Sequence, residues 1–264
     1  MSSDATQNRQ DIAARFVAAR RTGSPIPSYP GQRPETLDEA YAVQDVAIAL
    51  TDQAIAGWKV GRIEPPIEAR NRLAGPIFAD MVVPEGDTPP AMAIFEGGFA
   101  AAEAEFLLRI GTAPDPDKLS YTLAEAIVLI DAVHIGIEIA SSPYGGINDD
   151  GPAVTISDFG NNNGLVLGQP IIEWRDVDLN DWPVELLING ESAGRATTAT
   201  MLDGPFGAAR FLFEALAERG IPLEPGQWIS TGAVTGVHAV TVGDRIEARF
   251  DDRMRVACTI KAHG

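Results

Sequence analysis

Glu103, Glu105 and Glu138 have the residue type and the spacing to hold a divalent metal. In the segment AAEAEFLLRIG a single alanine separates Glu103 from Glu105. A β-strand sends such a pair to one face while Ala104, Phe106 and Leu108 line the other. Two carboxylates on one face repel each other unless a cation, a proton or bulk water intervenes. The third acid stands in VHIGIEI, where Val133, Ile135, Ile137 and Ile139 form one apolar face and His134, Gly136 and Glu138 the other. Three carboxylates, with no cysteine pair and no HxxxH spacing, suit a hard ion that keeps open octahedral positions, Mg²⁺ or Mn²⁺ rather than Zn²⁺. Taken alone, the alternation also fits a solvated strand edge, and on its own that is the simpler reading.

Other residue types able to do chemistry lie on both sides. Lys59 sits in GWKVG, a strand-like stretch between Gly57 and Gly61, where a freely solvated lysine is unexpected; the plain alternative is a surface lysine between turns. Asp80 follows the apolar run GPIF, where it either caps a turn or pairs with a lysine. In WISTGAVTG, Thr231 and Gly232 offer a hydroxyl and a backbone N–H to a substrate carboxylate, or form an ordinary turn. His134 reads as a satisfied strand histidine before it reads as support for Glu138.

These residues need strands to carry them and helices to cover those strands. An amphipathic helix is expected over residues 10–21, through Ile12, Phe16 and Val17, followed by the Pro- and Gly-dense loop TGSPIPSYPGQRP. Thr36 with Glu39 predicts a capped helix running to about Ala56, and Thr122 with Glu125 predicts a second start. A third helix is expected after Asp203 and Pro205, ending at Gly220. Asn189–Gly190 predicts a two-residue hairpin, and the C-terminal stretch alternates around VGDR and FDDR turns. The expected fold is α+β and predominantly β: a helical segment over residues 1–56 and a catalytic β-rich domain over residues 57–264.

Composition narrows the partners. With 264 residues, 45% of them hydrophobic, the chain can bury a substantial core. A net charge of −17 disfavours nucleic acid and anionic membrane surfaces as partners. The single cysteine, Cys258, excludes an internal disulfide, and the opening MSSDATQNRQ has no apolar signal stretch, so a cytoplasmic enzyme is the expectation. No apolar run reaches a bilayer-spanning length of roughly 18 residues.

Taken in order, YAVQ near Tyr41, GWKVG, GPIFADM, EAEF, an IEI strand and a C-terminal TG step resemble the fumarylacetoacetate hydrolase superfamily. Within it the chain looks most like the 2-hydroxypenta-2,4-dienoate hydratase and 4-oxalocrotonate decarboxylase branch, over residues from about 35 to 255. The resemblance implies the family's mixed β-sandwich roll, usually assembled as a homo-oligomer. It also implies metal ligation by Glu103, Glu105 and Glu138, and catalytic roles for Lys59 and Asp80. Two segments depart from the branch. IEIASSPYGGIN stands where many hydratases have a DSR-like segment, and DFGNNNG stands where relatives carry DNAAN or DNASS, making Asn161 and Asn162 the nearest pocket-lining equivalents. His134 stands where proline is common.

The chemistry expected is hydration. A 2-oxo acid or its dienol chelates the metal through its carboxylate and 2-oxygen, Lys59 and Asp80 move protons, and water adds to give a 4-hydroxy-2-oxo acid, as in the breakdown of aromatic compounds. Decarboxylation of a 2-oxo diacid would use the same chelate, and a complex with a related decarboxylase is a possible assembly. Hydrolysis of an acylpyruvate C–C bond resembles a histidine-glutamate dyad instead, and none of His134, His238 and His263 falls in the N-terminal loops that would supply it.

Overall fold

Aliphatic and small residues alternating on two long strands set the architecture. The computed structural model describes residues 3–264. Its helices are α1 (Ser3–Thr22), α2 (Leu37–Ala49), α3 (Leu123–Val128), α4 (Pro152–Ser157) and α5 (Gly204–Glu218). Its strands are β1 (Ile55–Ile67), β2 (Arg70–Phe78), β3 (Val82–Pro84), β4 (Ala91–Ile94), β5 (Phe99–Ile110), β6 (Ile130–Ser142) and β7 (Asn162–Pro170), then β8 (Pro183–Ile188), β9 (Glu191–Thr197), β10 (Trp228–Ser230), β11 (His238–Ala239), β12 (Arg245–Phe250) and β13 (Met254–Ala262). They form an eight-stranded mixed sheet ordered β2-β1-β10-β5-β6-β7-β3, with β11 added on β5, and a five-stranded sheet ordered β4-β13-β12-β8-β9. This is the expected mixed α+β, mainly β architecture. No helix of the described residues is long and apolar enough to cross a membrane.

The two sheets meet through the apolar faces read from the sequence. Ala104, Phe106 and Leu108 of β5 and Ile135, Ile137 and Ile139 of β6 are buried in one cluster with Ala248 and Phe250 of β12 and Val256 of β13. The rings of Phe106 and Phe250 cross edge to face at 5.2 Å between centroids. The glutamate face of the large sheet therefore points the other way, toward α2 and α4, while α5 packs with the apolar face.

Those helices are part of the same body. Ile12 and Phe16 of α1 pack with Phe78, Tyr144, Val154 and Phe159. The YAVQ segment grips β2: the Tyr41 hydroxyl accepts from the Ala74 N–H at 3.0 Å, and the Gln44 amide donates to the carbonyls of Ala74 and Ile156, both at 3.1 Å. Arg20 of α1, buried, reaches across with a bidentate pair to the fully buried Asp158 at 2.5 and 2.9 Å, and donates to the Asn162 carbonyl at 3.0 Å.

Several expected boundaries move. The first helix begins at Ser3 rather than residue 10. The second stops at Ala49 rather than Ala56, because Thr51 turns back, its N–H and hydroxyl donating to the carbonyls of Ile48 and Ala47, and Ile55 then joins the sheet opposite Phe78. The Thr122–Glu125 capping box is complete, whereas at Thr36 the Glu39 carboxylate accepts from Glu35. Asn189 and Gly190 turn the β8–β9 hairpin with φ of 54° and 87°, as a two-residue turn of mirror-image type requires.

Candidate active site

Strand register brings the three glutamates together. Glu103 of β5 lies directly opposite Glu138 of β6, and Glu105 lies opposite Gly136, so all three carboxylates leave the same face. Gly136 makes room for Leu107 on that face: a Cβ at that position would fall 2.2 Å from Leu107 Cδ1. One oxygen from each glutamate lies within 4.8 Å of the others, and all three side chains are buried. The sheet carries Lys59 to the same face. Ser230 of β10 pairs with Leu107 of β5 on one side and with Lys59 of β1 on the other.

Hydrogen bonds aim the acids. Glu105 Oε2 accepts from the Ser230 hydroxyl at 2.5 Å and the Gly232 N–H at 2.9 Å, and Glu138 Oε1 accepts from the Asn162 amide at 2.9 Å. Glu105 Oε1 and Glu138 Oε2 are buried without any partner. A buried carboxylate oxygen left bare is costly, so each of these acids has one oxygen clamped by protein and one presented for a cation. Lys59 Nζ lies 3.4 Å from Glu138 Oε1 and donates to Asn161 Oδ1 at 3.3 Å. One ammonium against three carboxylates leaves two negative charges, the deficit that one divalent ion fills. The residues present therefore fit a hard divalent metal.

The electrostatics of the metal-free site agree. Burial, opposed by Lys59 and reinforced by Glu138, pushes the Glu103 carboxyl up to about 7. Burial and repulsion from Glu138 and Glu103 raise Glu105 well above the carboxylate range, against the pull of Lys59 and Ser230. Burial alone would lower Lys59, but the three glutamates outweigh it and hold the ammonium above its ordinary value.

A cavity of about 710 Å³ opens onto this cluster, lined by Lys59, Glu103, Asn161, Thr231 and Gly232 among others, a size suited to a small substrate. The remaining expected residues are distributed differently. Asn161, with φ of 59°, lines the cavity, and its amide donates to Asn148 at 2.9 Å. Asn162 lies behind Glu138 and orients it instead of facing a ligand. The Thr231 hydroxyl donates to the Phe106 carbonyl at 2.8 Å, and the Gly232 N–H is spent on Glu105, so neither donor is free for a substrate carboxylate.

Asp80 is not brought to the cluster. It stands exposed in the turn Ala79–Met81 and accepts from Gln53 at 2.6 Å; it does not line the cavity and has no contact with Lys59. β2 ends at Phe78 and the chain turns outward there, which puts Asp80 in the turn. His134 bonds the Gly168 carbonyl at 2.8 Å and packs edge-on against Trp228, outside the cavity. Sequence reasoning passed over Ser230 and Asn148. Ser230 had a signal in the alternation of WIS, which turns it to the opposite side from Ile229; Asn148 had none.

No family model matches the chain. It is 28% identical over 221 residues to 2-keto-4-pentenoate hydratase 1 of Dechloromonas aromatica, covering 81% of this chain and 82% of that one. A structure of 4-oxalocrotonate decarboxylase from Pseudomonas putida G7, complexed with magnesium and adipate, superposes with a TM-score of 0.80 at 22% identity, over 97% of this chain and 98% of that one. A fumarylpyruvate hydrolase from Pseudomonas aeruginosa, in complex with Mn²⁺ and pyruvate, gives 0.60 at 16% identity, over 81% and 93%. In sequence and in fold, the chain is similar to the hydratase and decarboxylase branch of the fumarylacetoacetate hydrolase superfamily, as its ordered motifs indicated.

Proposed function

We propose that this protein is a metal-dependent hydro-lyase that adds water to a 2-hydroxy-dienoate, giving a 4-hydroxy-2-oxo acid. The observation that carries the proposal is the pair of bare, buried oxygens on Glu105 and Glu138, beside Glu103 and Lys59 at the base of a substrate-sized cavity. Glu103, Glu105 and Glu138 would hold Mg²⁺ or Mn²⁺. When bound, the metal would supply Lewis-acid stabilisation of the negative charge that develops on the 2-oxygen of a 2-oxo acid.

The chain's own residues do the rest. Lys59 Nζ holds a proton at the cavity wall, where the glutamates favour the ammonium, and Asn161 fixes its direction. With a divalent ion on the glutamates that field would be offset and the ammonium brought toward the acidity needed to protonate the carbon chain as the dienol ketonises. Ser230 and the Gly232 N–H keep Glu105 aimed, and Asn162 does the same for Glu138. Thr231 lines the cavity with its hydroxyl proton committed to Phe106, so toward the attacking water or a substrate hydroxyl it would act only as an acceptor.

Decarboxylation of a 2-oxo diacid is the second reading. It is favoured by the close likeness in fold to the oxalocrotonate decarboxylase, whose structure holds magnesium and adipate. Hydrolysis of an acylpyruvate is not favoured, because none of His134, His238 and His263 lines the cavity. The test is ultraviolet absorbance of a panel of 2-hydroxydienoates with Mg²⁺, Mn²⁺ or EDTA. Loss of the dienol band with a hydrated 2-oxo product is expected with metal. Carbon dioxide release would move the assignment to decarboxylation, and turnover unaffected by EDTA would contradict the proposal.

A further inference from the structure

Lys59 is held on one side by a turn of unusual backbone. Phe159, Gly160 and Asn161 follow one another at φ of 56°, 64° and 59°, all left-handed. Glycine and asparagine enter that region at little cost, but a bulky residue such as Phe159 does not. Such backbone persists only where its surroundings over-determine it. The turn is fitted to the cross-strand pair Lys59 and Gly75. A Cβ on Gly75 would fall 2.1 Å from the Phe159 carbonyl oxygen, and one on Gly160 would fall 3.0 Å from Lys59 Cδ. The lysine stem therefore lies against the turn, and Asn161 Oδ1 accepts from its ammonium at 3.3 Å.

Each end of the turn has its own anchor. At the first, the Phe159 ring meets Phe78 edge to face at 5.1 Å and carries the Arg20 guanidinium over it at 5.3 Å. At the last, the anchor is Asn148, whose Oδ1 accepts from the Asn161 amide at 2.9 Å. Asn148 is itself exposed at the cavity wall, but its neighbours in the chain are fixed. Ile147 is fully buried and its carbonyl accepts from the Thr155 hydroxyl at 2.8 Å, while Asp150 accepts from Tyr144 and pairs with Arg33 at 2.5 Å. The direction of the relay is forced. An ammonium only donates, so Asn161 must turn its oxygen to Lys59 and its NH₂ to Asn148, and Asn148 must answer with oxygen.

We infer that Asn148 is a positioning residue for Lys59: by accepting from the Asn161 amide it keeps the left-handed Asn161 in place and its oxygen on the ammonium. The inference rests on the proposed proton-donating role of Lys59. Without an acceptor at position 148 the Asn161 amide loses the bond that fixes its side-chain torsion, and the ammonium loses its fixed direction. Misplacing a proton donor slows the chemical step and leaves substrate affinity largely as it was.

The test has two readouts. One is exchange of the Asn161 side-chain amide protons with water, followed by NMR in the metal-free protein and assigned by their loss in Asn161→Asp. The other is steady-state turnover of a 2-hydroxydienoate with Mg²⁺. In Asn148→Leu, which keeps the volume and offers no acceptor, amide exchange should quicken about tenfold and kcat should fall about tenfold, with KM within about twofold of wild type. Asn148→Asp retains an acceptor oxygen and should keep slow exchange and most of kcat. Asn148→Ala is the second acceptor-free variant if Asn148→Leu does not fold. Unchanged exchange or unchanged kcat in a folded acceptor-free variant, a loss confined to KM, or a loss of kcat in Asn148→Asp as deep as in Asn148→Leu would each overturn the inference. If the wild type turns over no 2-hydroxydienoate while the exchange responds as expected, the contact stands but the functional reading fails, and the positioning role falls with it.

Discussion

Protons and metal compete for the same carboxylates, and the two act oppositely on stability. Glu103 rises from an ordinary 4.5 to about 7 on folding, with burial the main cause. A carboxyl with a higher pKa folded than unfolded stabilises the fold while protonated; that contribution is complete below about 4.5 and is lost as pH rises through about 7. The metal-free protein should therefore lose thermal stability across that window. Metal ligation requires the deprotonated acid, so saturating Mg²⁺ should stabilise most above pH 7. Melting curves with Mg²⁺ or EDTA check this, and parallel pH trends in the two would contradict it. At the same scale, Lys59→Met should cost about 10²-fold or more in turnover, the range for a positioned proton donor. Asp80→Asn, at an exposed turn, should stay within about twofold of wild type. Steady-state rates with a dienol substrate separate the two. The glutamates and Lys59 were legible because period-two alternation fixes which side chains share a face. Asp80 was not, because an apolar run followed by an acid reads alike whether the chain continues inward or turns out.

Among the elements, α1 and the DFGNNNG turn hold the site in place. Arg20 crosses from α1 to Asp158, which also accepts from the Ser142 hydroxyl at 2.6 Å, and the same guanidinium donates to the carbonyl of Asn162, whose amide aims Glu138. Removing one partner of a buried pair leaves the other charge uncompensated. Arg20→Met should therefore destabilise the fold by roughly 3–5 kcal/mol, read by chemical denaturation, and should weaken metal binding as well; a change under about 1 kcal/mol would show that the pair is structurally idle. Local signals placed these elements well: Thr122 and Glu125 satisfy each other's backbone N–H groups, Asn189 and Gly190 accept the positive φ of the hairpin turn, and Pro205 suits the first turn of α5. The role of α1 was hidden. Residues 1–56 read as a helical segment ahead of the catalytic domain, yet Ile12, Phe16 and Arg20 pack against residues more than a hundred positions away, and no local pattern encodes such a contact.

Across the whole molecule, two sheets divide the work. One face of the large sheet supplies the apolar core, and the other, under α2 and α4, holds three acids and a lysine beside a cavity of about 710 Å³. A surface with net charge −17 repels anionic substrates at long range. On the proposed reading, capture of an acid would therefore fall to the bound metal and to Lys59. The central claim is that Glu103, Glu105 and Glu138 hold one divalent ion, and the most direct measurement is a Mn²⁺ titration followed by electron paramagnetic resonance. One saturable Mn²⁺ per chain is expected, displaced by Mg²⁺ and lost in Glu138→Gln and in Glu105→Gln, each shown to be folded by circular dichroism. No saturable binding in the wild type, or binding unchanged in both folded variants, would contradict the account.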